Sequence, residues 1–167
     1  MIKKKVCLIG AYAVGKTSLV RKFVSGIFSD DYLTTVGVKI DQRTVSVEGR
    51  DVKLMIWDLA GRDEFQTVRK SYLLGATGFL FVADGTRAET LDAVREELEE
   101  IRESFSGMPS LLLINKSDLT DEWEVDDEML APFREENLEI FTTSAKSGDH
   151  VEDAFDSLTR LMLDGTK

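Results

Sequence analysis

The chain has 167 residues, 43% hydrophobic and 31% charged, with 21 Lys and Arg against 31 Asp and Glu. This is one domain's length with enough apolar side chains for a single core, and 12 Gly and 2 Pro exclude a collagen-like or low-complexity chain. A net charge of −10 argues against a general nucleic-acid binder, and a lone cysteine, Cys7, excludes an internal disulfide.

Short apolar runs alternate with segments of helical period. Lys5 to Ile9 reads as a buried strand ending at Gly10, with Cys7 a small core residue. Thr17 to Val24 opens a helix whose inner face carries Leu19, Val20 and Phe23. Val38 to Val47 and Lys53 to Trp57 read as strands joined by a turn at Glu48-Gly49-Arg50. Gly78 to Ala83 and Leu111 to Ile114 are continuous apolar runs, the mark of strands covered on both faces. Leu91, Val94, Leu98, Ile101 and Phe105 recur at spacings of three and four, which predicts an amphipathic helix over 89–105. A short strand at Ile140 to Thr142 and a helix at Val151 to Leu163 close the series. This alternation predicts an α/β domain over residues 1–167, with a mostly parallel sheet, helices on both faces and a ligand beyond the carboxyl ends of the strands.

The charge is unevenly spread. Residues 1–87 carry 14 basic and 9 acidic side chains, whereas 88–104 carry 2 against 7 and 118–139 carry 1 against 10. The basic half is expected to hold an anionic ligand, and the acidic regions are expected to form a solvated face that an anionic membrane would repel. No signal peptide, membrane-spanning run, myristoylation start or prenylatable cysteine is read, so a cytoplasmic chain without its own membrane anchor is expected.

Two motifs carry chemistry. Gly10-Ala11-Tyr12-Ala13-Val14-Gly15-Lys16-Thr17 matches G-x-x-x-x-G-K-[ST] and lies between a predicted strand and a predicted helix. Such a loop turns successive N–H groups toward phosphate at a helix N-terminus; Lys16 adds a cation and Thr17 a hard oxygen for Mg²⁺. Asn115-Lys116-Ser117-Asp118 follows directly on an apolar strand. The Asp118 carboxylate only accepts hydrogen bonds, which suits the N1–H and N2 amino pair of guanine and leaves adenine unmatched.

With these motifs in place the chain resembles the Ras superfamily of small GTPases over nearly its whole length. Thr35 within Leu33 to Gly37 falls at the first switch, Asp58-Leu59-Ala60-Gly61 at the D-x-x-G of the second, Thr143 to Lys146 at the guanine-side loop, and Phe28 at the aromatic position beside the base. The resemblance implies a single P-loop NTPase (small G) domain with a six-stranded sheet, one strand antiparallel, binding GTP or GDP with Mg²⁺. It gives Ala13, Val14, Gly15, Lys16, Thr17 and Ser18 to the phosphates, and Thr35 and Gly61 N–H groups to the γ-phosphate. Phe28, Asn115, Lys116, Asp118, Ser144, Ala145 and Lys146 fall to the base, the Ala145 N–H meeting its O6. Mg²⁺ falls to Thr17 and Thr35 directly and to Asp58 through water.

Within the superfamily the chain is most similar to the Rab family. That likeness implies a monomeric switch whose exchange factors, activating proteins and effectors meet residues 30–42 and 61–76, with Ile40, Trp57 and Tyr72 at an effector-facing hydrophobic triad. As residues alone, these three read equally well as core. His150 reads as a solvent-facing residue at a helix start.

Two departures fall at the hydrolysis centre, where the resemblance places Lys16, Thr35, Gly61 and the residues at positions 12 and 62. Arg62 stands where most members have Gln; a guanidinium has donors and no acceptor, so it cannot orient the attacking water as an amide does. Tyr12 replaces a small residue, its ring either beside the γ-phosphate or folded outward. Intact binding motifs with an altered centre predict tight guanine-nucleotide binding with slow hydrolysis, or else a GTP-bound interaction module with negligible turnover.

Overall fold

The computed structural model describes residues 1–26, 38–59 and 71–164. Six strands form one sheet in the order β2-β3-β1-β4-β5-β6. They are β1 (Ile2–Gly10), β2 (Val38–Val47), β3 (Arg50–Leu59), β4 (Gly78–Asp84), β5 (Ser110–Asn115) and β6 (Glu139–Thr142). The β2–β3 pair is antiparallel and the other pairs are parallel. The fold is thus the mostly parallel six-stranded α/β sheet expected.

Helices α1 (Lys16–Ser25), α2 (Glu89–Ser104), α3 (Asp127–Glu135) and α4 (Val151–Asp164) supply the covering layers. Strand alternation sorts the core into two faces. Val6 and Leu8 of β1, Leu80 and Val82 of β4, and Leu111 and Leu113 of β5 share a buried cluster with Leu19, Phe23, Phe155 and Leu158 of α1 and α4. Cys7, Ile9, Phe79, Phe81, Leu112 and Ile114 lie in the opposite cluster with Leu91, Val94 and Leu98 of α2 and Leu130 and Phe133 of α3. Cys7 is fully buried, as a small core residue should be.

The strands run further than their apolar stretches. β1 begins at Ile2 because Ile2, Lys3 and Lys4 continue the parallel register against Val52, Lys53 and Leu54; backbone pairing propagates without regard to side-chain polarity. The β2–β3 connection is a two-residue turn with positive φ at Glu48 (53°) and Gly49 (76°), the primed geometry that matches strand twist. Helix α3 has no counterpart in the periodicity reading. It is short, acidic and interrupted by Pro132, it buries only Leu130 and Phe133, and its start is fixed by Asp126, whose side chain accepts from the Met129 N–H at 2.9 Å. The acidic face is largely solvated, Asp92, Glu96, Glu99, Glu100 and Glu103 of α2 being exposed. Glu97 is the exception and is buried. His150 is exposed, and its Nδ1 lies 2.8 Å from the Thr142 carbonyl oxygen.

Candidate functional site

The carboxyl ends of the parallel strands converge on one region. Gly10 ends β1, Asp58 lies next to the end of β3, Asp84 ends β4, Asn115 ends β5, and Thr143 to Lys146 follow β6. This is the edge where an α/β sheet offers its ligand crevice.

The loop from Gly10 to Thr17 leads straight into α1. Positive φ at Ala13 (62°) and Gly15 (102°) makes the backbone concave, the arrangement in which neighbouring N–H groups point at an anion. Position 15 requires glycine twice over, for its backbone angle and because a Cβ there would collide with the Asn115 amide. Lys16 is buried, and its Nζ donates to the carbonyl oxygens of Gly10 (2.9 Å) and Ala11 (3.1 Å). Tyr12 is 64% exposed.

Beside the loop, the Thr17 hydroxyl donates to Asp58 Oδ2 at 2.5 Å. Asp58 is 1% exposed, and burial pushes its carboxyl above the ordinary aspartate range, against the opposing effects of the Thr17 hydroxyl and the Lys16 charge. A hydroxyl and a carboxylate are hard oxygen donors, and their pairing suits Mg²⁺, which takes few protein ligands and completes its shell with water and phosphate. Among the described residues no cluster of three or more His, Cys, Asp or Glu could cage a metal by itself.

The base-side loops are joined to the phosphate loop. Asn115 is buried; its Nδ2 donates to the Val14 carbonyl (3.0 Å), and its Oδ1 accepts from the Thr143 hydroxyl (3.2 Å) and the Ala145 N–H (3.3 Å). The Ala145 N–H assigned to a base O6 is therefore donated to Asn115 here. Lys116, at φ 74°, donates to the Ala13 carbonyl at 3.0 Å. Ser144 is buried, and its hydroxyl donates to Asp118 Oδ1 at 2.7 Å, orienting the exposed carboxylate. Lys146 is exposed.

Asp84 and Arg87 were not among the residues picked from sequence. Asp84 is fully buried, and its Oδ1 accepts from the Thr86 N–H (2.8 Å) and hydroxyl (2.7 Å). Its Oδ2 accepts from Arg87 Nε (3.0 Å) and Lys116 Nζ (2.8 Å). Burial pushes the carboxyl up, but the Lys116, Thr86 and Arg87 donors together outweigh it and hold Asp84 below the ordinary range. Only an acidic residue closing an apolar strand signalled it, and its burial is a tertiary fact.

On the far side of the sheet edge, Ile40 lies opposite Trp57 in the antiparallel pair, and Trp57 meets Tyr72 with ring centroids 6.1 Å apart. Ile40 is 47% exposed, whereas Trp57 and Tyr72 are half-buried and pack against the core cluster on that face. Lys5 Nζ sits 3.6 Å from the Trp57 ring centroid and donates to the Leu74 carbonyl at 2.7 Å. Phe28, Thr35, Gly61 and Arg62 lie outside the described residues, as do residues 30–37 and 61–70 of the two expected partner-binding segments.

Comparison with known proteins gives the family. The model of the Ras family matches residues 5–164. The chain is 38% identical over 161 residues to Ras-related protein Rab-13 of Canis lupus familiaris, covering 95% of this chain and 79% of that protein. It is also 38% identical over 158 residues to GTP-binding protein ypt1 of Schizosaccharomyces pombe, covering 93% of this chain and 78% of that protein. Against Ras-related protein RABD2b of Arabidopsis thaliana the identity is 38% over 157 residues, with the same two coverages of 93% and 78%. The chain belongs to the Ras family and is a Rab-like small GTPase.

Proposed function

We propose that residues 1–167 form one guanine-nucleotide-binding domain that holds GTP or GDP with Mg²⁺ and hydrolyses GTP slowly. The observation that carries this reading is the joining of two loops: Asn115 and Lys116 grip the carbonyls of Val14 and Ala13, so the base-side motif and the phosphate loop form one body. The Ala13, Val14 and Gly15 N–H groups and the Ser18 segment at the start of α1 would receive the phosphates. Lys16 would exchange its two carbonyl partners for phosphate oxygens. Thr17 and Asp58, with Thr35, would hold Mg²⁺, which lowers the charge of the triphosphate when bound. Asp118, steadied by Ser144, would accept from guanine, with Phe28, Lys116, Ala145 and Lys146 around the ring. The N–H groups of Thr35 and Gly61 would follow the γ-phosphate, and its loss would release their segments.

Slow hydrolysis rests on Arg62, which lacks an acceptor for the water, and on the exposed Tyr12 of the phosphate loop, which would hinder a partner's arginine. The same residues favour a second reading, a GTP-bound interaction module with negligible turnover. Either form would work in the cytosol as a monomer and present Ile40, Trp57 and Tyr72 to effector proteins, with exchange and activating proteins meeting the flanking segments. No described helix is long and apolar enough to cross a membrane.

Single-turnover hydrolysis of bound GTP tests the chemistry, with Arg62→Gln and Tyr12→Gly beside the parent. Arg62→Gln is expected to be at least about ten-fold faster, the worth of one well-placed water-orienting group. A parent as fast as Arg62→Gln would refute the slow-switch reading, and no measurable turnover in the parent would favour the module.

A further inference from the structure

Three successive carbonyls of the phosphate loop are each bonded away from its concave side. Asn115 Nδ2 takes Val14 O at 3.0 Å, Lys116 Nζ takes Ala13 O at 3.0 Å, and Arg87 Nη2 takes Tyr12 O at 2.9 Å. In a trans peptide the C=O and the following N–H point in opposite directions, and no peptide here is cis. Fixing Tyr12 O, Ala13 O and Val14 O on one side therefore fixes the N–H groups of Ala13, Val14 and Gly15 on the other. The Arg87 anchor comes from neither sequence motif.

We infer that Arg87, held in place by Asp84, is a positioning residue for phosphate binding, setting the Tyr12–Ala13 peptide so that the Ala13 N–H faces the phosphates. The guanidinium divides its donors, Nε to Asp84 Oδ2 and Nη2 to the Tyr12 carbonyl, so its planar fork transmits the position of the β4 end to the loop. Asp84 Oδ2 also binds Lys116, so a single buried oxygen aligns two of the three anchors. Thr86 occupies the other carboxylate oxygen twice and fixes the carboxylate plane. Ala13, an L-residue at φ 62°, sits where the backbone is strained and must be held by its surroundings. Anchors on both its flanking peptides supply that hold.

This inference deepens the nucleotide-binding reading and rests on it for the identity of the phosphates. Its test measures release of a fluorescent GDP analogue from the parent, Arg87→Ala and Arg87→Lys, with the ³¹P shifts of bound GDP and titration with tripolyphosphate, which has no base. Arg87→Ala is expected to release the analogue about 3- to 10-fold faster, as loss of one partly exposed charge-assisted hydrogen bond implies. It should also shift the phosphorus signals and weaken tripolyphosphate by a similar factor. Arg87→Lys, which keeps the charge and a single donor group, should recover part of each effect. Release within two-fold of the parent with unmoved phosphorus signals would overturn the inference. A parent that binds tripolyphosphate but no guanine nucleotide would remove the guanine reading, and the tripolyphosphate affinities of the variants would then decide the role of Arg87. A parent that binds neither would overturn both.

Discussion

Asp58 and Asp84 lie at or next to the carboxyl ends of two strands of one sheet, are both 1% exposed or less, and have their carboxyl pKa shifted in opposite directions. Asp84 is surrounded by donors from Thr86, Arg87 and Lys116, which fill the acceptor sites of both oxygens. Among the described residues Asp58 accepts from the Thr17 hydroxyl, with Lys16 acting at longer range. Among the described residues, one buried charge is thus compensated more fully than the other. The more fully compensated carboxylate braces its neighbours; the other, in the proposed function, would face a cation.

Three substitutions can break this contrast. The largest effect is expected at Asp58→Ala: retention of GDP in excess Mg²⁺ should weaken on the order of 100-fold, because a buried carboxylate's charge-assisted interactions with a cation are lost. Titration of GDP analogue binding with and without Mg²⁺ checks this, and an unchanged dependence on Mg²⁺ would remove the cation role of Asp58.

Next, Asp84→Asn should destabilise the nucleotide-free chain by about 3 kcal/mol, since it leaves Lys116 and Arg87 facing an uncharged amide. Because the folded-state pKa of Asp84 is depressed, its stabilisation is present above the unfolded-state pKa and is lost as pH falls through the folded one. Urea unfolding across acid pH should show the parent losing stability toward that low value while Asp84→Asn is flatter there.

The smallest effect has the opposite sign. Asp58→Asn should stabilise the nucleotide-free chain by about 1 kcal/mol at neutral pH by removing a poorly compensated buried charge. The folded-state pKa of Asp58 is raised, so its favourable contribution is present below the unfolded-state pKa and lost as pH rises through the folded one. The gain of Asp58→Asn should therefore vanish in acid, and a gain that is independent of pH would contradict the assignment of the raised carboxyl.

The same contrast explains what could be read in advance. Gly10 to Thr17 and Asn115 to Asp118 were legible because a phosphate cradle and a guanine acceptor need certain residues at close spacing, immediately after strands. The sheet was legible because strands covered on both faces, such as Gly78 to Asp84, are apolar throughout. Asp84 and Arg87 were not, because what gives them meaning is distant in the chain: Arg87 meets Tyr12 across 75 positions, and no local pattern encodes that contact. Helix α3 escaped for a related reason, since two buried side chains and an internal proline leave almost no period to detect. For Ile40, Trp57 and Tyr72 both surface and core had been open, and the fold divides them: Ile40 is exposed at the sheet edge, while Trp57 and Tyr72 are half-buried against the core.

The most direct test of the central claim is competition between guanine and adenine nucleotides for the parent chain, with and without Mg²⁺, followed by displacement of a fluorescent GDP analogue. The account predicts that GDP displaces it, that ADP does so at least about 1,000-fold less well because adenine offers Asp118 an acceptor N1 and a C2–H where guanine offers two donors, and that removing Mg²⁺ weakens GDP. Equal displacement by ADP, or binding indifferent to Mg²⁺, would contradict it.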